Sequence, residues 1–469
     1  MALNLTGPVT LTLTATMQTQ TLTMSPSGGN PTLTGGIQLV TVQDSATISA
    51  GSVSASLVFT MDGSVAGAHT FSSSASIGTL QIAASGQTIT LGTALTVSSS
   101  LQVSAGTFDL GGLTTSTAAA MQITGGTIQN GTITSTSTYD VQAGTVSAVL
   151  AGAVGLNKTT AGTVTLSGAN TYTGVTNVSV GTLALGAANA LASGSTLVVS
   201  GGILDLGAFS ITVAGVQQTG GTIQNGTLTS TTAFDMQAGT ASAALAGAVG
   251  MNKTTAGTEI LSGTNTYTGT TAISSSGTLT LTGGAAIVNT GAVTIAGTAI
   301  LNLTSSETIG SLSAVAGTFV TLNANTLTFG DATSPTVAAV VSGSGGLTKQ
   351  GAGTVTLSGT NAYTGTTAIN VGTLTLTGGA AIVNTGAVTI AGTATLDLAS
   401  SETIGSLSAV AGTFVTLNAN TLTFGDATSP TVAAVVSGSG GLTKQGAGTV
   451  TLSGANIYTG VTTVSLGTL

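Results

Sequence analysis

The chain has 469 residues, of which only four are basic and twelve acidic, so charged side chains make up 3% of it, where a soluble globular protein carries about 25%. Glycine occurs 70 times, cysteine and tryptophan are absent, there are nine phenylalanines and five tyrosines, and all four basic residues are lysine. A formal charge of −8 without arginine leaves no electrostatic footprint for phosphates and argues against nucleic acid as a partner. The absence of cysteine excludes a disulfide framework and thiolate metal sites. Disorder is also disfavoured, because 41% of the residues are hydrophobic, whereas disordered chains pair low hydrophobicity with high net charge.

In chain order, the N-terminus Met1-Ala2-Leu3-Asn4-Leu5-Thr6-Gly7-Pro8 has neither a basic region nor a continuous apolar run, so it does not read as a signal peptide. Residues 1–112 have the general composition of the chain but lack its later repeat, and they predict a less regular solenoid segment. Residues 113–469 predict a helix of stacked β-coils with four lysine-marked repeats. Apolar stretches such as Val146 to Leu156 are interrupted by Ser and Gly and fall short of the roughly 18 residues a spanning helix needs. Transmembrane strands are disfavoured because the aromatic girdles of a membrane barrel are missing.

Lys158, Lys253, Lys349 and Lys444 are spaced by 95, 96 and 95 residues and mark four copies of one unit. The copies read GLNKTTAGTVTLSGANTYTGVT from Gly155, GMNKTTAGTEILSGTNTYTGTT from Gly250, GLTKQGAGTVTLSGTNAYTGTT from Gly346 and GLTKQGAGTVTLSGANIYTGVT from Gly441, each running on to Gly-Thr-Leu. GGTIQNGT recurs at Gly125 and Gly220, and Thr278 to Gly365 returns at Thr373 to Gly460 with five substitutions. Ile300, Asn302 and Thr304 become Thr395, Asp397 and Ala399, while Leu301 and Leu303 persist as Leu396 and Leu398. Changes on alternate residues mark strands with one buried and one free face. TVTLS at Val164, TLTLT at Leu279 and TLTFG at Leu327 carry the same alternation.

About a dozen such segments per long repeat predict an all-β solenoid of roughly four coils, each with three short strands and about 24 residues. Backbone ladders at about 4.8 Å would join successive coils, with glycines at the sharp corners. The chain closes on Gly467-Thr468-Leu469 where the equivalent Gly372-Thr373-Leu374 continues in a strand, and this reads as a fragment of a longer polypeptide.

The unit G-[LM]-x-K-x-x-A-G-T-x-x-L-S-G-x-N-x-Y-T-G-x-T followed by G-T-L resembles the passenger-associated transport repeat, also called the autotransporter-associated β-strand repeat. That resemblance implies a right-handed parallel β-helix. It further implies a noncatalytic structural stalk or passenger of a Gram-negative type V secretion system, supporting secretion, surface display and adhesion. The location implied is the cell surface or the medium, and the partner is an outer-membrane translocator barrel outside this fragment. No particular adhesion ligand follows from the residues.

Candidate chemistry is sparse, and no catalytic, cofactor-binding or metal-binding residue is assigned. The four lysines read as solvated turn residues that discourage edge pairing. Tyr172, Tyr267, Tyr363 and Tyr458 read as turn-packed rings with wet hydroxyls, and His69 as an incidental surface or turn residue. Glu307 with Asp331 and Glu402 with Asp426, each pair 24 residues apart, could stack on neighbouring coils, and glycosidic cleavage needs carboxylates about 5 to 9.5 Å apart. A polysaccharide lyase or hydrolase is therefore one alternative. Another is ice binding by outward Thr-x-Thr pairs at Thr10 to Thr14, Thr278 to Thr282 and Thr373 to Thr377. Glu259 replaces the inward Val164 of the first copy, and the expectation there is a local bulge that turns the carboxylate outward.

Overall fold

The computed structural model describes every residue except Ile37, Ala118 and Ala119, and for Ser116 and Thr117 it describes the backbone alone. The described residues contain β-strands and turns and no helix. Two compact units are present, Met1–Thr231 and Thr232–Leu469.

In each unit the described strand pairings are parallel, and a strand pairs with the strand one coil before it and one coil after it. In the first unit Thr163↔Thr182 and Leu166↔Leu185 stack in register, and in the second Thr354↔Thr373 and Leu357↔Leu376 do the same. This is a parallel β-solenoid. Alternation dictates which side chains enter it: Val355 and Leu357 point inward and are buried, whereas Thr354 and Thr356, which alternate with them, are partly exposed. Stacked Leu, Val and Ile fill the coil interior, and the backbone ladders replace charge as the device that keeps the surface ordered.

Three strands make a coil where Ala292–Ile295, Ile300–Leu303 and Glu307–Thr308 precede Ser311–Ala314, as expected, but only two do where Thr354–Leu357 and Thr367–Ile369 precede Thr373–Leu376. Most coils are also shorter than the repeat arithmetic implies, and their length varies. Thr132 stacks on Val149 in a short coil and Ala46 on Phe71 in a long one, while the steps Leu327↔Leu347↔Thr367 are typical of the second unit. The repeat consequently spans more than four coils, and not a whole number of them. The strand Met251–Lys253 stands in the column of Thr271, Val293 and Leu312. Leu347–Lys349 stands in a second column with Leu327, Thr367 and Val388. Leu442–Lys444 stands in a third with Glu402, Leu422 and Thr462. In the second unit the motif thus moves to a different face of the solenoid with every copy.

Outward rows also bond along the stack. In the first unit the Thr60 hydroxyl donates to Gln81 Oε1 at 2.9 Å, Gln81 Nε2 to Gln102 Oε1 at 2.7 Å, and Gln122 Nε2 to Asp140 Oδ2 at 2.7 Å. Such amide rows add side-chain hydrogen bonds parallel to the backbone ladder.

Candidate functional site

The repeat residues singled out by their spacing are internal fasteners. In the Leu-x-Lys strand the lysine lies two residues beyond an inward leucine and so shares its face. Lys158, Lys253 and Lys444 are fully buried and Lys349 is 1% exposed, which corrects the expectation of solvated turn residues. Lys349 Nζ donates to the carbonyl oxygens of Gln350 at 3.0 Å, Gly351 at 2.7 Å and Val371 at 3.0 Å. Lys444 repeats this cradle with Gln445, Gly446 and Leu466, at 2.8, 2.8 and 3.2 Å. Lys158 donates to Thr160 O and, at 3.1 Å, to Val180 O. Each of these three ammoniums ties its own turn to the next coil.

The cradle explains the Gly-Thr-Leu that ends every copy. Gly372 has φ +72°, and a Cβ there would lie 2.5 Å from Gly351 O and 2.6 Å from Gly353 O. Only glycine supplies both the left-handed backbone and the close approach that brings the Val371 carbonyl onto the ammonium. Burial lowers the pKa of Lys158, Lys253 and Lys349, against the opposing charge of Asp140 for Lys158, Glu259 and Asp235 for Lys253, and Asp331 for Lys349.

Asn-x-Tyr is the second fastener. Asn361 Oδ1 accepts from Val341 N–H on the preceding coil at 2.8 Å, and its Nδ2 donates to Ala381 O on the following coil at 2.8 Å. The side-chain amide stands in for a peptide group where the ladder is interrupted. Asn170 bonds Leu150 and Ala190, and Asn265 bonds Leu245 and Ala286, in the same way. Glutamate continues this ladder one coil on: Ile287 N–H donates to Glu307 Oε1 at 2.9 Å and Ile382 N–H to Glu402 Oε1 at 3.0 Å.

Tyr172, Tyr267 and Tyr363 are fully buried, not wet at the hydroxyl as expected, whereas Tyr458 is partly exposed and its bond to Thr462 lies in an exposed setting. Each shares a hydrogen bond with the threonine four residues on, as Tyr363 Oη does with Thr367 Oγ1 at 2.6 Å. Burial pushes the Tyr172 and Tyr267 phenols up to about 12.

The candidate carboxylate pairs are not brought together. Glu307 stacks on Leu327 and Glu402 on Leu422, because the coil is shorter than the spacing within each pair. Asp331 instead accepts from Thr333 N–H at 2.7 Å in an exposed turn, and Asp426 does so from Thr428. No group of three or more His, Asp or Glu side chains suited to a metal occurs among the described residues. His69 is buried and its Nδ1 lies 3.1 Å from Asp44 Oδ1, so it is a core residue and not an incidental surface one. Thr354 and Thr356 stack on Thr373 and Thr375, but the next coil brings Asp397 beneath Thr375, so the outward threonine rank is short.

Glu259 overturns the bulge expectation. Its strand pairs in unbroken register, Thr258↔Thr278, Glu259↔Leu279 and Leu261↔Leu281, and the carboxylate points inward, fully buried, with neither oxygen hydrogen-bonded.

The fold and its repeated fasteners define a class: a parallel β-solenoid whose repeat motif secures neighbouring coils from within. The family model described as passenger-associated-transport-repeat matches residues 156–185, 251–281, 347–376 and 442–469; the chain carries four such repeats. Over 255 residues the chain is 32% identical to the "Adhesin BmaC autotransporter" of Brucella suis biovar 1 (strain 1330), a stretch that covers 50% of this chain and 7% of that relative. No solved structure matches the chain. No helix among the described residues is long and apolar enough to cross a membrane.

Proposed function

We propose that this chain is a noncatalytic structural segment of an autotransporter passenger, located at the cell surface or secreted, that supports export and display and contributes to adhesion. The observation that carries this reading is the burial of Lys in all four matched repeats and of Asn and Tyr in the first three. The repeat spends its distinctive side chains on joining coils, and its chemistry is turned away from solvent. The likeness to an autotransporter adhesin supports the adhesive part of the reading.

The fasteners fit stepwise assembly. Lys349 lacks one carbonyl until Val371 of the next coil arrives, and Asn361 lacks an acceptor until Ala381 does. Each added coil satisfies polar groups left open by the one before it, which suits a chain that folds as it emerges from a pore. A translocator barrel is the partner this role requires.

The test is protease treatment of intact Gram-negative cells that express the full reading frame with an epitope tag inside residues 113–469. Accessibility of the tag on intact cells, lost when a downstream barrel is deleted, is the expected result. A tag that stays protected until the cells are lysed would remove the passenger reading.

A further inference from the structure

Four departures from the repeat meet across two neighbouring coils of the second unit. The turn after Lys253 reads Ile273-Ser274-Ser275-Ser276-Gly277, one residue longer than Val178-Ser179-Val180-Gly181 or Ile369-Asn370-Val371-Gly372. That insertion is why one lysine spacing is 96 and not 95. The left-handed backbone position passes to Ser275, φ 64°, a conformation that is strained for a residue with a side chain. The carbonyl that Val371 supplies to Lys349 has no counterpart at Lys253, whose ammonium is hydrogen-bonded, among the described residues, to Thr255 O alone. On the next strand of the same coil, Glu259 occupies the inward position held by Val164, Val355 and Val450 in the other copies.

We propose that the Lys253–Glu259 coil is a proton-controlled weak point of the solenoid, closed while the Glu259 carboxyl is protonated and released when that proton is lost to solvent. A neutral carboxylic acid without hydrogen bonds is tolerated in an apolar interior at moderate cost, but an unpaired carboxylate there is not. The groups around it offer little relief. Gly239 lies on the strand before it and Leu279 on the strand after it, and neither titrates. Lys253 faces the same interior from its own coil, with half-buried Asp235 acting on that lysine. Tyr267, on the next segment of the coil, is bonded to Thr271. No ion pair within 4 Å joins Lys253 to Glu259 among the described residues.

Burial raises the Glu259 pKa to about 8, against the attraction of Lys253. A folded pKa above the unfolded value means that stability is full at acid pH and falls as pH climbs from about 4.5 toward 8. This is the reverse of ordinary acid unfolding.

The molecule contains its own control, because the coil of Lys349 and Val355 is built alike without the insertion or the glutamate. Hydrogen exchange of the whole chain between pH 5 and 9, corrected for intrinsic exchange chemistry, compares segments 251–261 and 347–357. The opening equilibrium of 251–261 should rise by up to about tenfold per pH unit between pH 5 and 8, while 347–357 stays level. Glu259→Gln should flatten the response without altering the strand, and Glu259→Val should bring protection toward that of 347–357. An identical pH response in the two segments, or a rise that persists in the Glu259→Gln chain, overturns the proposal.

Discussion

Lys349 Nζ and Val371 O lie 3.0 Å apart across one coil of the stack, in the interior of the solenoid. The bond closes one full coil and holds two consecutive turns against each other. A lysine in this setting acts as a three-pronged hydrogen-bond donor to carbonyls that the corner leaves without ladder partners. Lys349→Met keeps the apolar stem and removes the donors. It should weaken the coil by roughly 2 kcal/mol, since three part-buried acceptors lose their partner. In a solenoid the loss is local, so exchange of amides near 347–373 should accelerate while those near 156–183 hold.

Asn361 carries a comparable load, and its loss should be felt on both sides. Asn361→Ala strands the Val341 N–H and the Ala381 carbonyl, at about 2 kcal/mol. Asn361→Asp preserves the acceptor for Val341 but removes the donor to Ala381. Chemical denaturation of the two variants should rank both below the parent chain, and equal midpoints for all three would contradict the bridging role.

The tyrosines give an optical readout. Burial holds the phenols of Tyr139, Tyr172 and Tyr267 near 12, so their ionisation opposes the fold. Stability from these groups is retained below pH 10 and declines as pH rises toward 12. Absorbance at about 295 nm should show these rings silent at pH 10.5 in the native chain and ionised in the denatured one. Tyr363→Phe, which leaves the Thr367 hydroxyl without its partner, should cost about 1 kcal/mol.

Glu307 holds Ile287 N–H with one oxygen while the other is buried without a hydrogen bond. Burial raises its pKa, against the hydrogen bonds from the Ile287 and Ala286 backbone, so it favours the fold below about pH 4.5 and loses that contribution as pH rises. Glu307→Gln keeps an acceptor for Ile287 and cannot ionise. Thermal unfolding should find the variant equal to the parent in acid and more stable than it at pH 8.

Much of this architecture can be read directly from the residues. Leu301 and Leu303 persist while Ile300 and Asn302 change, and those leucines are indeed the inward ones. Coil length is not readable that way, because alternation within a strand is the same in a short coil as in a long one. That ambiguity is what placed Asp331 opposite Glu307, where Leu327 stands. The inward lysine carried a signal: Leu347 and Lys349 are two apart and must share a face. Lysine is so rarely buried that its type outweighs its position unless the carbonyl cradle is seen. Glu259 likewise sits at a valine position, and its inward placement followed the strand period, not the preference of the side chain.

Amine labelling tests the central claim, that the repeat's distinctive residues fasten coils from within. The amines of the chain are its four lysines, all buried, and the N-terminus of Met1, which is 86% exposed. Brief treatment of the native protein with an amine-reactive ester, read by peptide mass spectrometry, should modify Met1 and leave Lys158, Lys253, Lys349 and Lys444 intact until the chain is denatured. Native lysines that react as fast as the N-terminus would place the motif on the surface and contradict the account.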